Sequence, residues 1–453
     1  MTTIAAIATP NAPGGIAVIR ISGERAFEVA EKIFVPAGDK KVADMRGYTC
    51  AYGEAFDGEE RLDDCILTVF RAPHSFTGED TAEISCHGGI YVTRRILRAA
   101  LANGAVMAQA GEFTKRAFLN GKIDLTQAES VMDIISAKGE RELKMAENIR
   151  EGAAYKAVRK ISDRLMNMLG SLAAWTDYPD EDIPEVEPET MRTELENIRA
   201  ELESLIRNYD SGRILREGVS TVIVGRPNVG KSTLFNALSG CERSIVTDIA
   251  GTTRDAVEET VKLGDVTLRL MDTAGIRETS DKIEEIGVNI AQKAIESAEL
   301  VIAVFDGSEK MSDDDVNIIN KINFNNSVAV VNKNDLSTVI DITELEKHFK
   351  YIVYLSAKEN SGTDELCACI EDIFRLNEPF FNDVTVANER QKKCVDVCLE
   401  NVEKAVEAIE CGEMLDAVNV LIDYAEQSLL ELIGEKITDA VVDEVFSRFC
   451  VGK

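Results

Sequence analysis

The stretch Gly225-Arg226-Pro227-Asn228-Val229-Gly230-Lys231-Ser232 follows a short apolar run, Val222-Ile223-Val224. It precedes Thr233-Leu234-Phe235-Asn236-Ala237-Leu238, where apolar residues recur three to four apart. Strand, glycine-rich loop and helix, in that order, are the setting in which G-x-x-x-x-G-K-[ST] becomes a phosphate cradle. Backbone N–H groups at the loop and helix N-terminus face the phosphates, and the helix dipole favours their charge. Asn228, Val229, Gly230, Lys231, Ser232 and Thr233 are the candidate contacts. Lys231 suits the β/γ-phosphates, and the Ser232 hydroxyl suits Mg²⁺.

A chance glycine-rich turn would stand alone, and this one does not. Asp272-Thr273-Ala274-Gly275 follows the apolar segment Val266 to Met271. An aspartate at a strand end can hold the Mg²⁺ shell, and the glycine N–H can sense a γ-phosphate. Between the two lies Thr247-Asp248-Ile249-Ala250-Gly251-Thr252-Thr253-Arg254-Asp255, whose Thr253 is the natural second Mg²⁺ ligand. Val328 to Val331 runs into Asn332-Lys333-Asn334-Asp335. A carboxylate at Asp335 can accept guanine N1–H and N2–H₂ together, a donor pair adenine lacks. Tyr351 to Leu355 then leads to Ser356-Ala357-Lys358, which suits a backbone N–H to guanine O6. These elements stand in the order of a GTPase. Ras-like proteins carry a glutamine after the Asp-x-x-Gly element to orient the attacking water. Here that place holds Ile276, which cannot.

The chain has 453 residues, 45% of them hydrophobic, which suggests about three domains with ample cores. Its ten cysteines and three histidines form no zinc spacing. Cys394 and Cys398 stand one helical turn apart and read as half-buried. The first ten residues lack a basic start and a continuous apolar run, so no signal or transit peptide is expected. No stretch approaches a membrane span. Free thiols then imply a reducing, cytoplasmic setting. With 80 acidic against 50 basic side chains the net charge is −30, which argues against broad binding through phosphate neutralisation. A local basic groove or a basic partner protein stays open.

In order, Ile16 to Ile21 reads as a strand and Glu24 to Phe34 as a helix. Tyr48 to Phe56 and Leu62 to Phe70 read as a hairpin across Asp57-Gly58-Glu59-Glu60. A strand near Ala82 to Cys86 follows, and His87-Gly88-Gly89 opens a helix to Asn103. His87 reads as a polar turn residue rather than a ligand or nucleophile. Helical stripes run from Leu125 to Trp175 and break at the acidic, proline-containing 178–185. Another stripe spans Leu195 to Tyr209, with Gly212 and Gly218 marking the passage to the nucleotide domain. After about Leu376 the pattern is helical again, through Val395 to Ile409, Val418 to Leu429 and Val441 to Phe449. Helices on both sides suggest one helical domain with the nucleotide domain inserted. The expected domains are 1–118, 119–215, 216–377 and 378–453, the last completing the helical domain.

The whole chain resembles the MnmE (TrmE) family of tRNA-modifying GTPases. The likeness rests on Ala8-Thr9-Pro10 with Gly14-Gly15, Phe76-Thr77-Gly78-Glu79-Asp80, His87-Gly88-Gly89, Gly111 to Lys122, the GTPase elements, and the terminus Phe449-Cys450-Val451-Gly452-Lys453. The resemblance implies a multidomain α/β protein: a mixed α/β folate-binding domain that also makes the homodimer, a central helical domain, and an inserted P-loop GTPase domain with a parallel sheet. It implies an aminomethyl-type group added at C5 of the wobble uridine of certain tRNAs, with an FAD-dependent MnmG-type partner in a heterotetramer or larger complex. The one-carbon source would be 5,10-methylenetetrahydrofolate, with 5-formyltetrahydrofolate as its analogue. Arg20, Glu79, Lys122 and Lys453 match the family's folate contacts, and a carboxylate and cations suit pterin donors and a glutamate tail. The family also resembles potassium-activated GTPases, in which K⁺ takes the place of an arginine finger. Asn228, Thr247, Ile249 and Thr252 match the K⁺ ligands, and Glu284 matches the residue that orients water. Cys450 could act as a nucleophile, serve a redox or positioning role, or simply be buried beside Phe449. The rival expectation is an Era-like assembly factor without modification chemistry. A folate-dependent aminomethyltransferase without tRNA is disfavoured by the GTPase insertion.

Overall fold

The computed structural model describes residues 1–38, 41–137, 139–177, 187–240, 258–264, 266–271, 295–322, 326–374 and 386–453. Internal contacts divide the chain into two units. One comprises Met1–Ile135, Glu147–Leu202 and Lys393–Lys453; the other comprises Ser136–Ala146 and Glu203–Lys392.

The first unit begins with a seven-stranded sheet of β1 (Ile4–Ile7), β2 (Ile16–Ser22), β3 (Phe34–Pro36), β4 (Thr49–Asp57), β5 (Glu60–Phe70), β6 (Thr81–His87) and β7 (Val106–Met107). The order is β3-β4-β5-β6-β2-β1-β7, and only β1 with β7 is parallel. Successive strand residues point to opposite faces. Ala17, Ile19 and Ile21 enter a core with Ile33, Leu67, Ile84, Ile96 and Ala100, covered by α1 (Ala26–Ile33) and α2 (Ile90–Ala102). Arg20 and Ser22 therefore fall on the other face. There Ile4, Ala6 and Ala108 form a smaller core with Phe113 of α3 (Glu112–Leu119).

The expected hairpin is present, with Asp57 paired to Glu60 and Gly58 at φ 65° in the turn. β1, β3 and β7 do not show in the sequence, because Ile4–Ile7 is apolar throughout and the other two hold three and two residues; Phe34, read as the end of the first helix, begins β3. His87 is the last residue of β6, paired with Ile16, rather than the turn residue expected. Its Nδ1 lies 2.7 Å from Asp63 Oδ1, and its backbone N–H donates to Asp63 Oδ2 at 2.7 Å. That carboxylate holds the imidazole pKa above its ordinary value.

The helical stripes become α4 (Leu125–Ser136), α5 (Glu140–Arg150), α6 (Ala153–Asp177) and α7 (Pro188–Glu217). The expected break at 178–185 lies outside the described residues. Gly212 does not mark a boundary: α7 runs through it, and a Cβ there would stand 3.0 Å from Met145 Sδ. Gly218, at φ 73°, ends the helix instead.

The second unit's sheet has the order β13-β12-β11-β8-β10-β9. In chain order its elements are β8 (Val219–Val224), α8 (Lys231–Gly240), β9 (Glu258–Leu263), β10 (Val266–Met271), β11 (Leu300–Asp306), α9 (Asp313–Ile319), β12 (Ser327–Asn332), α10 (Ile342–His348), β13 (Tyr351–Tyr354) and α11 (Thr363–Ile373). All neighbours are parallel except the edge pair of β9 and β10. Every residue of β11 is buried, as a parallel strand covered on both faces requires.

The chain then returns to the first unit through α12 (Glu389–Glu410), α13 (Leu415–Ile433) and α14 (Asp439–Ser447). α13 packs on α6, and Val442, Phe446 and Phe449 close a core with Leu125 and Ala128. Cys394 and Cys398 are buried, deeper than their spacing suggested, and every cysteine among the described residues is free.

Candidate functional site

In an open parallel sheet, ligands bind beyond the carboxyl ends of the strands. β8, β12 and β13 each deliver an expected nucleotide element there: the loop from Gly225, the Asn332-to-Asp335 run, and Ser356-Ala357-Lys358. Asp272, Thr273, Ala274 and Gly275 follow β10 but lie outside the described residues, as do Thr247, Asp248, Ile249, Ala250, Gly251, Thr252, Thr253 and Glu284.

Close approach shapes the phosphate loop. Gly230 takes φ 100°, and a Cβ there would come within 2.2 Å of Asn332 Nδ2. Asn228 adopts φ 67° without being glycine, a turn conformation that asparagine tolerates. Lys231 opens α8 and donates to the carbonyls of Gly225 and Arg226, each at 2.7 Å. Burial lowers its pKa, and among the described residues it makes no ion pair, its partners being those carbonyls. Those residues fit a polyphosphate. Ser232 and Thr233, the next two positions, are exposed. Arg226 is held away by Glu309 and by Asp315 at 3.4 Å, an ion pair no motif announces.

The base side is braced by one side chain. Asn332 donates its amide to the Val229 carbonyl at 2.8 Å, and its carbonyl oxygen accepts the Ala357 N–H at 3.0 Å. Ser356 donates its hydroxyl to Asp335 Oδ1 at 2.7 Å. Lys333, at φ 67°, pairs with Asp306 at the end of β11. The Asp335 and Lys358 side chains face solvent. The motif spacing located these residues; it did not indicate that Asn332 joins the phosphate loop to the base loops.

On the α3 side of the first sheet, Arg20 bonds Glu83 at 2.7 Å and lies over the Phe113 ring at 5.5 Å and the Phe76 ring at 6.0 Å. Glu79 is not a free acceptor. Arg116 reaches both its oxygens, at 3.2 and 3.0 Å, and Ser22 donates to it at 2.9 Å. Arg116 is nearly fully buried and also bonds Glu112 and the Thr2 carbonyl, so it orients Glu79. Sequence reading assigned it no role, because nothing near it in the chain marks Glu79 as its partner. Lys122 donates to the Pro73 carbonyl at 2.9 Å. The loop from Pro73 to Asp80 thus touches Arg20, Lys122 and Arg116. A carboxylate with spare lone pairs beside cations and aromatic rings fits a pterin with an anionic tail.

The C-terminal tail docks on the same face. The Gly111 N–H donates to the Cys450 carbonyl at 3.4 Å, and the Phe113 N–H to the Lys453 carbonyl at 3.2 Å. Arg20 Nη1 donates to the Gly452 carbonyl at 3.4 Å, joining residues 432 positions apart. The Cys450 side chain is exposed, which removes the reading of it as a packing residue beside Phe449. Among the described residues no cluster could hold a metal ion, and no helix is long and apolar enough to cross a membrane.

The family model of the GTP-binding protein TrmE N-terminus matches residues 3–122, and that of the MnmE helical domain matches 125–450. A tRNA modification GTPase MnmE of Acetivibrio thermocellus is 41% identical over 100% of this chain and 99% of its own length. Its counterpart in Clostridioides difficile is 40% identical over the same shares. Among solved structures, the G domain of the T. maritima FeoB iron transporter is 28% identical, with a TM-score of 0.26 over 34% of this chain and 98% of that one. Likeness running through the sheet, the helices and the tail, and not only the nucleotide elements, disfavours an Era-like assembly factor: the chain belongs to the MnmE (TrmE) family of tRNA modification GTPases.

Proposed function

We propose that this chain hydrolyses GTP under K⁺ activation and, with an FAD-dependent MnmG-type partner, adds an aminomethyl or carboxymethylaminomethyl group at C5 of the wobble uridine of tRNA. The carbon comes from methylenetetrahydrofolate held by Arg20, Glu79, Lys122 and Lys453 in a homodimer. Ser232, Thr253 and Asp272 hold Mg²⁺; Asn228, Thr247, Ile249 and Thr252 hold K⁺; Glu284 orients the water. Bound Mg²⁺ and K⁺ supply positive charge to the phosphoryl group as it transfers. Lys231 adds a fixed cation, and the loop N–H groups orient the phosphates.

The observation that carries the reading is the meeting of the two chain ends. Arg20 grips the Gly452 carbonyl while Glu79 is aimed by Arg116 on the same side of the sheet. An assembly factor has no need of a tail segment held by its backbone carbonyls against Arg20 and the start of α3, beside that carboxylate. Mass spectrometry of tRNA nucleosides from cells with and without this protein tests it. Loss of the modified wobble uridine supports the reading, and unchanged wobble uridines defeat it.

A further inference from the structure

The net charge of −30 leaves unanswered where a polyanionic RNA could rest. α2 is locally the opposite. Its thirteen residues, Ile-Tyr-Val-Thr-Arg-Arg-Ile-Leu-Arg-Ala-Ala-Leu-Ala, carry three arginines and no carboxylate. The apolar face, Ile96, Leu97, Ala99 and Ala100, packs on the sheet and fixes which residues point outward. Those are Tyr91, Arg94 and Arg98, at i, i+3 and i+7, one stripe along the solvent side.

The arginines divide into two kinds. Arg95 is consumed by the hairpin, bonding Asp57 at 3.0 Å and Glu60 at 2.8 Å. Arg94 and Arg98 are exposed and make no hydrogen bond or ion pair among the described residues. Asp57 and Glu60 of the hairpin are already engaged by Arg95, and Glu28 of α1 by Arg25 and Lys32. Tyr91 is 75% exposed on the same stripe, an aromatic plane that neither the core nor the sheet uses. Free guanidinium groups one helical turn apart beside an open ring suit a phosphodiester backbone with an unstacked base.

We propose that the Tyr91, Arg94 and Arg98 face of α2 is a phosphate-contacting surface for the RNA substrate. The inference rests on the tRNA reading above and deepens it. α2 covers the sheet face opposite Arg20, so the contact anchors the RNA away from the folate residues. It sets affinity and register and leaves the chemistry itself unchanged. An acidic protein surface is the competing occupant, and the exposed ring argues for RNA.

The test uses the full-length chain with GTP and an unmodified tRNA transcript bearing a wobble uridine. Affinity is measured across a salt series for wild type, Arg94→Ala/Arg98→Ala, Arg94→Lys/Arg98→Lys and Tyr91→Ala. Each lost phosphate contact lowers the slope of log affinity against log salt by about one. The double alanine variant should therefore flatten the slope by about two and weaken binding at low salt. The lysine pair should keep most of the slope, and Tyr91→Ala should weaken binding without changing it. GTPase rate and thermal unfolding should stay at wild-type values. Wild-type slope and affinity in the double alanine variant would overturn the inference while leaving the tRNA reading intact. So would loss of association with the FAD partner with RNA binding unchanged. No binding by the wild type would bring down the tRNA reading and this surface with it.

Discussion

The Asn332 side-chain amide donates to the Val229 carbonyl at 2.8 Å while the same side chain receives the Ala357 N–H at 3.0 Å. One residue thereby holds the phosphate loop, the base loop and the Ser356-Ala357-Lys358 turn in a single arrangement. Asn332→Ala removes two buried hydrogen bonds of about 0.5–1.5 kcal/mol each. GTP affinity should fall by roughly five- to a hundred-and-fifty-fold, the range those energies span. GDP should lose a similar factor, since the brace acts on the loops rather than the γ-phosphate. Isothermal titration with both nucleotides checks it, and a loss confined to GTP contradicts it.

Asp335 should decide the base. Its Oδ1 is aimed by the Ser356 hydroxyl at 2.7 Å, and the carboxylate faces solvent where a purine edge can reach it. Asp335→Asn exchanges acceptors for a mixed edge that matches xanthine better than guanine. GTP binding should weaken and xanthosine triphosphate binding improve, in competition against a fluorescent guanine nucleotide. A variant that keeps its preference for GTP shows that another loop reads the base.

Local patterns disclosed most of the frame, because each element is a short-range decision. The β4–β5 hairpin, α2 after Gly89 and the strand–loop–helix around Lys231 all follow from residues a few positions apart. The interactions that join the sites are long-range. Arg116 aims Glu79 across 37 positions, Asn332 braces Val229 across 103, and Arg20 meets Gly452 across 432. Nothing in a local window marks such partners. β1 stayed hidden because Ile4–Ile7 is apolar throughout, β7 because two residues carry no pattern, and Gly212 misled because close helix contact, not a turn, explains its missing side chain.

Potassium should accelerate hydrolysis. Ile276 cannot orient water, and Asn228 stands exposed at φ 67° in the loop where a carbonyl oxygen can ligate a cation. The GTPase rate should rise in K⁺ over Na⁺ at matched ionic strength, and Asn228→Ala should remove the difference. Glu284→Ala should slow turnover with GTP affinity nearly intact, since water orientation acts in the transition state. Equal rates in the two salts defeat the mechanism.

Glu426 should make the helical part of the first unit sensitive to pH. It is 1% exposed, with the Ser162 hydroxyl donating at 3.1 Å, and burial raises its carboxyl above the ordinary 4.5. A folded state that prefers the proton is favoured below the unfolded pKa, and it loses that advantage as pH rises through the folded value. Stability of this unit should therefore decline from pH 4.5 upward through the raised pKa. Glu426→Gln, which still accepts from Ser162, should flatten that decline and raise the melting temperature at neutral pH. An unchanged pH profile in the glutamine variant assigns the dependence elsewhere.

The tail should separate the two activities. Cys450, Gly452 and Lys453 dock through their carbonyls on Gly111, Arg20 and Phe113, all in the first unit, whereas the phosphate loop belongs to the second. Deleting Cys450 to Lys453 should abolish wobble-uridine modification and leave K⁺-stimulated hydrolysis near wild type. Gly452→Ala asks whether docking alone matters. Gly452 takes φ 98°, and a Cβ would stand 2.3 Å from the Ile7 carbonyl, so the tail must shift while the thiol and lysine remain. Modification should fall sharply there too. Cys450→Ser is narrower, because the exposed side chain is not needed for packing and a hydroxyl is far less ionised than a thiol at neutral pH. Loss of modification with folate affinity retained assigns the thiol a chemical role; full activity restricts the tail to binding through Lys453 and its backbone. The assay is modification reconstituted with the FAD partner, folate, GTP and K⁺. If the deletion leaves modification intact, the tail is no part of the active site, and the contact between Arg20 and Gly452 is structural alone.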